Sequence, residues 1–180
     1  ITRPGIALYG GEAVNGVPNP MEPVAQLETR VIQLRNAPAG ETVSYGATQT
    51  LKRNTRIAVC GTGYADGFHR ASGAGVALCG TGRLAGYGFI SNQRVPILGR
   101  VTMDLTMFDV TDLPDGAVKA GDFVELFGRN IALDDAARAI GNGVVVAADR
   151  DEVVIADAAL ELQQRIERRC RQRLQFALLG

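Results

Sequence analysis

Histidine is nearly absent from this chain of 180 residues: His69 stands alone. Metal centres draw on several imidazole, thiolate or carboxylate groups at ligand spacing, and no such set occurs, so none is expected. Cysteine is scarce as well. Cys60, Cys79 and Cys170 are odd in number, widely spaced and form no CxxC pair. That does not suggest a disulfide framework and suits a reducing, cytoplasmic setting, with Cys60 and Cys79 read as small apolar strand residues. No run of 18 apolar residues is present, so no membrane span is expected. Neither sign of charge prevails: 19 basic residues face 19 acidic ones. Binding nucleic acid needs a basic surface, and outside the tail there is no excess from which to build one. A P-loop, a dinucleotide fingerprint opening a helix and a GxSxG nucleophile elbow are all missing.

What is present suits one soluble core. Apolar residues make up 46% of the chain and charged residues 21%, both ordinary values. The chain opens Ile1-Thr2-Arg3-Pro4-Gly5, with no Met and no signal-like segment. We therefore expect a truncated or processed product with sequence upstream.

Residues 4–8 read as a short buried strand or its end, and residues 12–23, with three prolines, as a loop. From Val24 to Leu34 polar and apolar residues alternate, with Leu27, Thr29 and Val31 on one face, which predicts a strand wet on one side. Residues 38–41 read as a turn. Residues 42–50 read as a strand broken by Gly46, and residues 56–60 as a more apolar strand. Residues 76–79, 94–98, 101–110 and 123–127 complete the strand candidates, with a turn at 112–116. Many short strands separated by glycines and turns indicate a mostly β domain, a barrel or folded sheet. Leu133, Ala136, Ala137 and Ile140 then share a helical face, with Asp134 or Asp135 placed to favour its N-terminus. Residues 144–146 look like a strand. Residues 156–178 have helical composition, with Leu162, Ile166, Cys170, Leu174 and Leu178 at spacing four among many arginines. Such a basic helix can lie on nucleic acid or membrane; the plainer reading, a solvated helix packing one stripe, is preferred.

Three stretches can carry chemistry. Gly61-Thr62-Gly63-Tyr64-Ala65-Asp66-Gly67 follows an apolar strand with three glycines in seven residues. Its tyrosine is either a phenol that moves protons or a ring covering the sheet edge. As a base at neutral pH a phenol needs a positive neighbour. Gly99-Arg100-Val101-Thr102-Met103-Asp104 puts Arg100 and Asp104 at one strand parity, which by itself reads as a surface ion pair of little energetic value. Arg3-Pro4-Gly5-Ile6 could offer two backbone N–H groups to an anion.

Together these motifs resemble the C-terminal part of alanine racemase. The resemblance rests on Arg3-Pro4-Gly5-Ile6-Ala7-Leu8-Tyr9-Gly10, Val43-Ser44-Tyr45-Gly46-Ala47-Thr48, Gly63-Tyr64-Ala65-Asp66-Gly67-Phe68 and Gly99-Arg100-Val101-Thr102-Met103-Asp104, in the family's order. It runs from the first residue to about Asn142. It implies a β-barrel-like C-terminal domain over 12–142, preceded at 1–11 by a remnant of the last strand of an N-terminal (β/α)₈ barrel. It implies pyridoxal 5′-phosphate, alanine as substrate, and a head-to-tail homodimer with sites built from both subunits. The product would be D-alanine, a peptidoglycan precursor. In the same terms, Tyr64 is the catalytic tyrosine given to the partner's barrel. Arg3 faces the cofactor's pyridine nitrogen, and the N–H groups of Gly5 and Ile6 meet its phosphate. The Met103 N–H meets the substrate carboxylate, and Asp104 stands at the substrate entrance. The family's cofactor lysine belongs upstream. Lys52 and Lys119, the two lysines here, lie in no recognisable cofactor setting, so the chain alone is expected to be inactive.

The ending departs from the family. No tyrosine follows Tyr87, whereas the family places one after its short helix to hold the phosphate. Residues 143–180 read as a divergent, helical tail, and a changed reading frame would account for the abrupt loss of match. The domain's closing strand would then be missing and some ladder groups left open. Two rival readings stand beside the leading one. The first is a domain of a related pyridoxal-phosphate racemase or basic amino-acid decarboxylase. The second is a non-catalytic β domain that binds protein or RNA through its basic tail.

Overall fold

The computed structural model describes residues 5–14, 17–73 and 86–137. Eight strands form there: β1 (Leu27–Ala37), β2 (Thr42–Val43), β3 (Gln49–Thr50), β4 (Thr55–Cys60), β5 (Tyr87–Ile90), β6 (Gln93–Leu98), β7 (Thr106–Asp109) and β8 (Phe123–Phe127). One short helix, α1 (Leu133–Ala137), follows. The strands close a barrel in the order β1-β4-β7-β6-β5-β8, and every pairing is antiparallel. The mostly β, barrel-like expectation therefore holds.

Closure depends on β1, whose 11 residues serve two neighbours. Leu27–Arg30 pair with β8, and Val31–Ala37 with β4. Between Val31 and Gln33 the register shifts, an extra residue that bends a strand round a barrel corner. The bulge also resets side-chain parity. Thr29 and Val31 are buried and Ile32 is exposed, as the alternation predicts; beyond the shift Leu34 turns to the barrel core, while Ala37 packs on the other face, beneath the hairpin. The open ladder expected from a missing last strand is not found among the described residues, because β1 meets β8 directly.

Two apolar clusters follow from this geometry. The barrel interior holds Val31, Ala58, Cys60, Phe108, Val124 and Leu126 among others. Outside the wall, Ala37, Val43, Leu51, Ile57 and Leu98 pack beneath the β2–β3 hairpin. Strand β4 is covered on both faces, which is why residues 56–60 read as a more apolar strand, with Ile57, Ala58, Val59 and Cys60 not alternating. Phe108 is fully buried; a Cβ on Gly88 would stand 2.7 Å from its ring, so the missing side chain at 88 makes its seat. That glycine also hid β5 from sequence reading. The β5–β6 reversal is a tight turn in which Ser91 and Asn92 both have positive φ, 51° and 61°.

Three other elements differ from expectation. Residues 42–50 form a hairpin, Thr42 against Thr50 and Val43 against Gln49, not one broken strand. Positive φ at Ser44, Gly46 and Ala47 turns the chain back. In residues 101–110 only Thr106–Asp109 is strand. Thr102 closes a local turn on Leu105 through both its backbone N–H (2.9 Å) and its hydroxyl (3.0 Å), so residues 101–105 leave the ladder. Residues Gly5–Tyr9 form a 3-10 helix with no buried residue, not a strand. Gly5 enters with φ 57°, and Gly10 and Gly11 donate locally to Ala7 and Ile6; among the described residues no strand runs beside this segment to pair it. The turn at 112–116 forms as expected. Arg56 ties it down by donating to the Val110, Leu113 and Pro114 carbonyls. Arg53 donates to Asp112 and Asp109; its hydrogen bond holds the Asp112 carboxyl below the usual carboxylate range and pushes the guanidinium up. Asp134 and Asp135 occupy the first turn of α1 but reach outward, Asp134 accepting from the Glu12 N–H and Asp135 pairing with Arg94. The strands expected at 76–79 and 144–146, Cys79, Ile140 and the helical tail with Cys170 lie outside the described residues.

Candidate functional site

Where β4 ends at Cys60 the chain folds over one end of the barrel. Tyr64–Asp66 make one 3-10 turn. Asp66 accepts from the Gly63 N–H at 3.0 Å, and the Gly67 N–H returns to the Tyr64 carbonyl at 3.1 Å with φ 99°. Phe68, buried in the barrel core, anchors the far side. Tyr64 is left 37% exposed, on a turn fixed at both ends.

This turn docks on the residues between β6 and β7. The Tyr64 N–H donates to the Thr102 carbonyl and the Ala65 N–H to the Met103 carbonyl, both at 2.9 Å. The Thr106 hydroxyl donates to the Thr62 carbonyl at 2.6 Å. A Cβ on Gly63 would lie 2.3 Å from both the Thr102 and the Met103 oxygens, so only glycine lets the two backbones meet. Two stretches that sequence reasoning held apart, 61–67 and 99–104, are therefore one unit. Met103 and Asp104 are exposed beside Tyr64's turn. Among the described residues no ion pair joins Arg100 to Asp104, because residues 101–105 are not strand and their shared parity is lost.

Two contributors were missed from sequence. Arg70 places its guanidinium 5.8 Å from the centre of the Tyr64 ring, a cation–π contact. Ser44, from the hairpin, receives the Arg100 N–H at 2.8 Å and donates to the Arg100 carbonyl at 2.7 Å. No spacing rule announces either, since both contacts join residues that only the fold brings close. His69 serves as a loop cap, accepting from the Ala71 N–H at 3.1 Å.

The first motif is not joined to this unit. Arg3 lies outside the described residues. Gly5 and Ile6 open the 3-10 segment, whose described bonds run to Asn19 and, through Glu12, to Asp134. None of its described hydrogen bonds reaches Tyr64 or Met103.

Cys60, behind the site in the barrel wall, is fully buried, and that burial pushes its thiol up to about 12. It is a packing group, not a nucleophile.

Comparison with known proteins gives a consistent answer. The sequence profile of a family described as "Alanine racemase, C-terminal domain" matches residues 24–157. A biosynthetic alanine racemase of Agrobacterium fabrum is 57% identical over 142 residues, covering 78% of this chain and 36% of the relative. The crystal structure of biosynthetic alanine racemase from Pseudomonas aeruginosa superposes with a TM-score of 0.65 at 34% identity, over 76% of this chain and 36% of that one. Alanine racemase from Bartonella henselae with covalently bound pyridoxal phosphate superposes with a TM-score of 0.64 at 31% identity, over 76% and 35% of the two chains. The chain thus spans about a third of the length of the proteins it matches.

Proposed function

This chain belongs to the alanine racemase family by way of the C-terminal domain, and from that premise we propose that it supplies the tyrosine side of an alanine racemase site. Residues 12–142 are the domain proper, residues 1–11 the remnant that would join the last strand of an N-terminal barrel, though Gly5–Tyr9 are a 3-10 turn here, and residues 143–180 a divergent tail. The site is completed in a head-to-tail homodimer, where Tyr64 of one subunit enters the barrel of the other. The setting is the cytoplasm.

One observation carries the reading: the exposed phenol of Tyr64 and the exposed Met103 stand on two backbones locked together by reciprocal packing and hydrogen bonds. Racemisation removes a proton from one face of a carbon and returns one to the other. That requires two groups on opposite sides, each fixed to within a fraction of an ångström. Tyr64 serves one face. Arg70 lies over its ring at 5.8 Å and helps hold its orientation. The Met103 N–H orients the substrate carboxylate, and Asp104 lies at the entrance. Because Met103 and Tyr64 share one rigid unit, carboxylate and proton are held in a constant relation.

Pyridoxal phosphate, when bound, supplies the electron withdrawal that acidifies the α-carbon. The residues at hand suit its phosphate. Gly5 and Ile6 stand at the start of a helical turn, where N–H groups lack partners within the turn, and a Cβ on Gly5 would meet nothing within 4 Å. Gly5 and Ile6 would hold the phosphate and Arg3 would face the pyridine nitrogen, with the remaining contacts made by the N-terminal barrel.

The test is a chimera in which the matched 142 residues replace their counterpart in the Agrobacterium fabrum relative. It should interconvert L- and D-alanine, followed by circular dichroism, and act poorly on larger amino acids. A folded chimera that leaves alanine unchanged, or that releases carbon dioxide from a basic amino acid, contradicts the reading.

A further inference from the structure

The β2–β3 hairpin contributes nothing to the barrel ladder, and its two strands are each two residues long. Its polar side chains nevertheless point at one place. The Gln49 side-chain oxygen accepts from the Gly99 N–H at 2.6 Å. The Ser44 hydroxyl, next in space, both accepts from and donates to the backbone of Arg100. Three backbone groups of two adjoining residues, Gly99 N–H, Arg100 N–H and Arg100 C=O, are therefore held by two side chains. The fit is close: a Cβ on Gly99, whose φ is 63°, would lie 2.3 Å from the Ser44 Cβ. Ser44 itself takes a positive φ of 70°, a conformation that a non-glycine residue adopts only at a cost. The hairpin is strained into the shape that lets its hydroxyl reach.

From these contacts we infer that Ser44 and Gln49 are positioning residues for the site, acting on Tyr64 and Met103 through the backbone of residues 99–103. Residues 101–105 have left the β-ladder, so strand pairing does not fix them. They are pinned at one end by the hairpin and at the other by the Thr102–Leu105 turn. Tyr64 and Ala65 hang from the Thr102 and Met103 carbonyls, which belong to that turn and follow directly on the stretch the hairpin holds. Loosening the hairpin end lets both carbonyls move, and the phenol moves with them. The catalytic meaning of this rests on the reading of Tyr64 and Met103 given above; the mechanical coupling does not.

Amide hydrogen exchange on the full 180-residue chain tests the coupling without any activity. Ser44→Ala removes two hydrogen bonds and Gln49→Leu one. Each should raise exchange at the Tyr64 and Ala65 amides, about tenfold for a coupling equal to one ordinary hydrogen bond, while β4 and β8 amides stay protected. Gln49→Glu keeps the acceptor oxygen and should restore protection. Unchanged exchange at Tyr64 and Ala65 in either variant overturns the inference. So does loss of protection across the whole barrel in both, which would make the hairpin a general fold determinant. In the chimera the same substitutions should lower kcat more than they raise KM. If the parent chimera is inactive, the functional reading fails while the exchange result still decides the coupling.

Discussion

Gly63 and Met103 meet backbone to backbone, so closely that a single added carbon on Gly63 would stand 2.3 Å from the Met103 carbonyl oxygen. The oxygens it would strike, those of Thr102 and Met103, are the ones that hold Tyr64 and Ala65. Substituting Gly63 by Ala should therefore separate the two loops rather than merely crowd a side chain. We expect a stability loss of about 1–3 kcal/mol from overpacking and a fall in chimera kcat of roughly 10²-fold from displacement of the phenol. Urea unfolding and steady-state racemisation measure the two.

The guanidinium of Arg70 lies over the Tyr64 ring at 5.8 Å. An exposed contact of this kind is worth about 0.5–1 kcal/mol. Arg70→Leu should lower racemisation about three- to fivefold and leave the unfolding midpoint nearly unchanged. An activity equal to the parent's would remove Arg70 from the account.

Much of the fold was legible in the sequence, and the failures share a cause. Alternation at 27–31 identified β1 and its inner face correctly, because one side of that strand is wet. The turn at 112–116 was readable from its Pro, Asp and Gly. Residues 101–105 misled because their composition is that of a strand. What removes them is a competing set of partners, Tyr64, Ala65 and Leu105, that no local pattern encodes. Strand β5 was overlooked because Gly88 weakens its pattern, and that glycine is there to seat Phe108 from another strand. The site followed the same rule. Tyr64 and its glycines announced themselves, whereas Arg70, Ser44 and Gln49 matter only through contacts the folded chain creates.

Phe108 is fully buried at the barrel centre against Gly88 and Val124. Phe108→Ala should cost about 3–5 kcal/mol, read from the shift in urea midpoint. A loss below about 1 kcal/mol would mean the barrel interior is not close-packed.

Burial holds the Cys60 thiol at about 12 when folded, whereas in the unfolded chain it ionises at an ordinary value. Below that ordinary value both states keep the proton and stability is unaffected. Between it and about 12 the unfolded chain has lost its proton and the folded one has not, so stability falls as pH rises. Cys60→Ala should flatten this alkaline decline. Peptide mapping after iodoacetamide treatment at neutral pH should find Cys60 unmodified until the protein is unfolded. Rapid labelling of the native chain would contradict its place in the core.

The most direct measurement is the rate of alanine racemisation by the chimera carrying Tyr64→Phe, which deletes one oxygen and leaves the ring in place. Removing a general acid–base group should lower kcat/KM by roughly 10²–10⁴-fold, and by the same factor in both directions, since L- and D-alanine are mirror images of equal energy. A chimera that still converts L- to D-alanine at the parent's rate would contradict the assignment of Tyr64, and with it the reading of this domain.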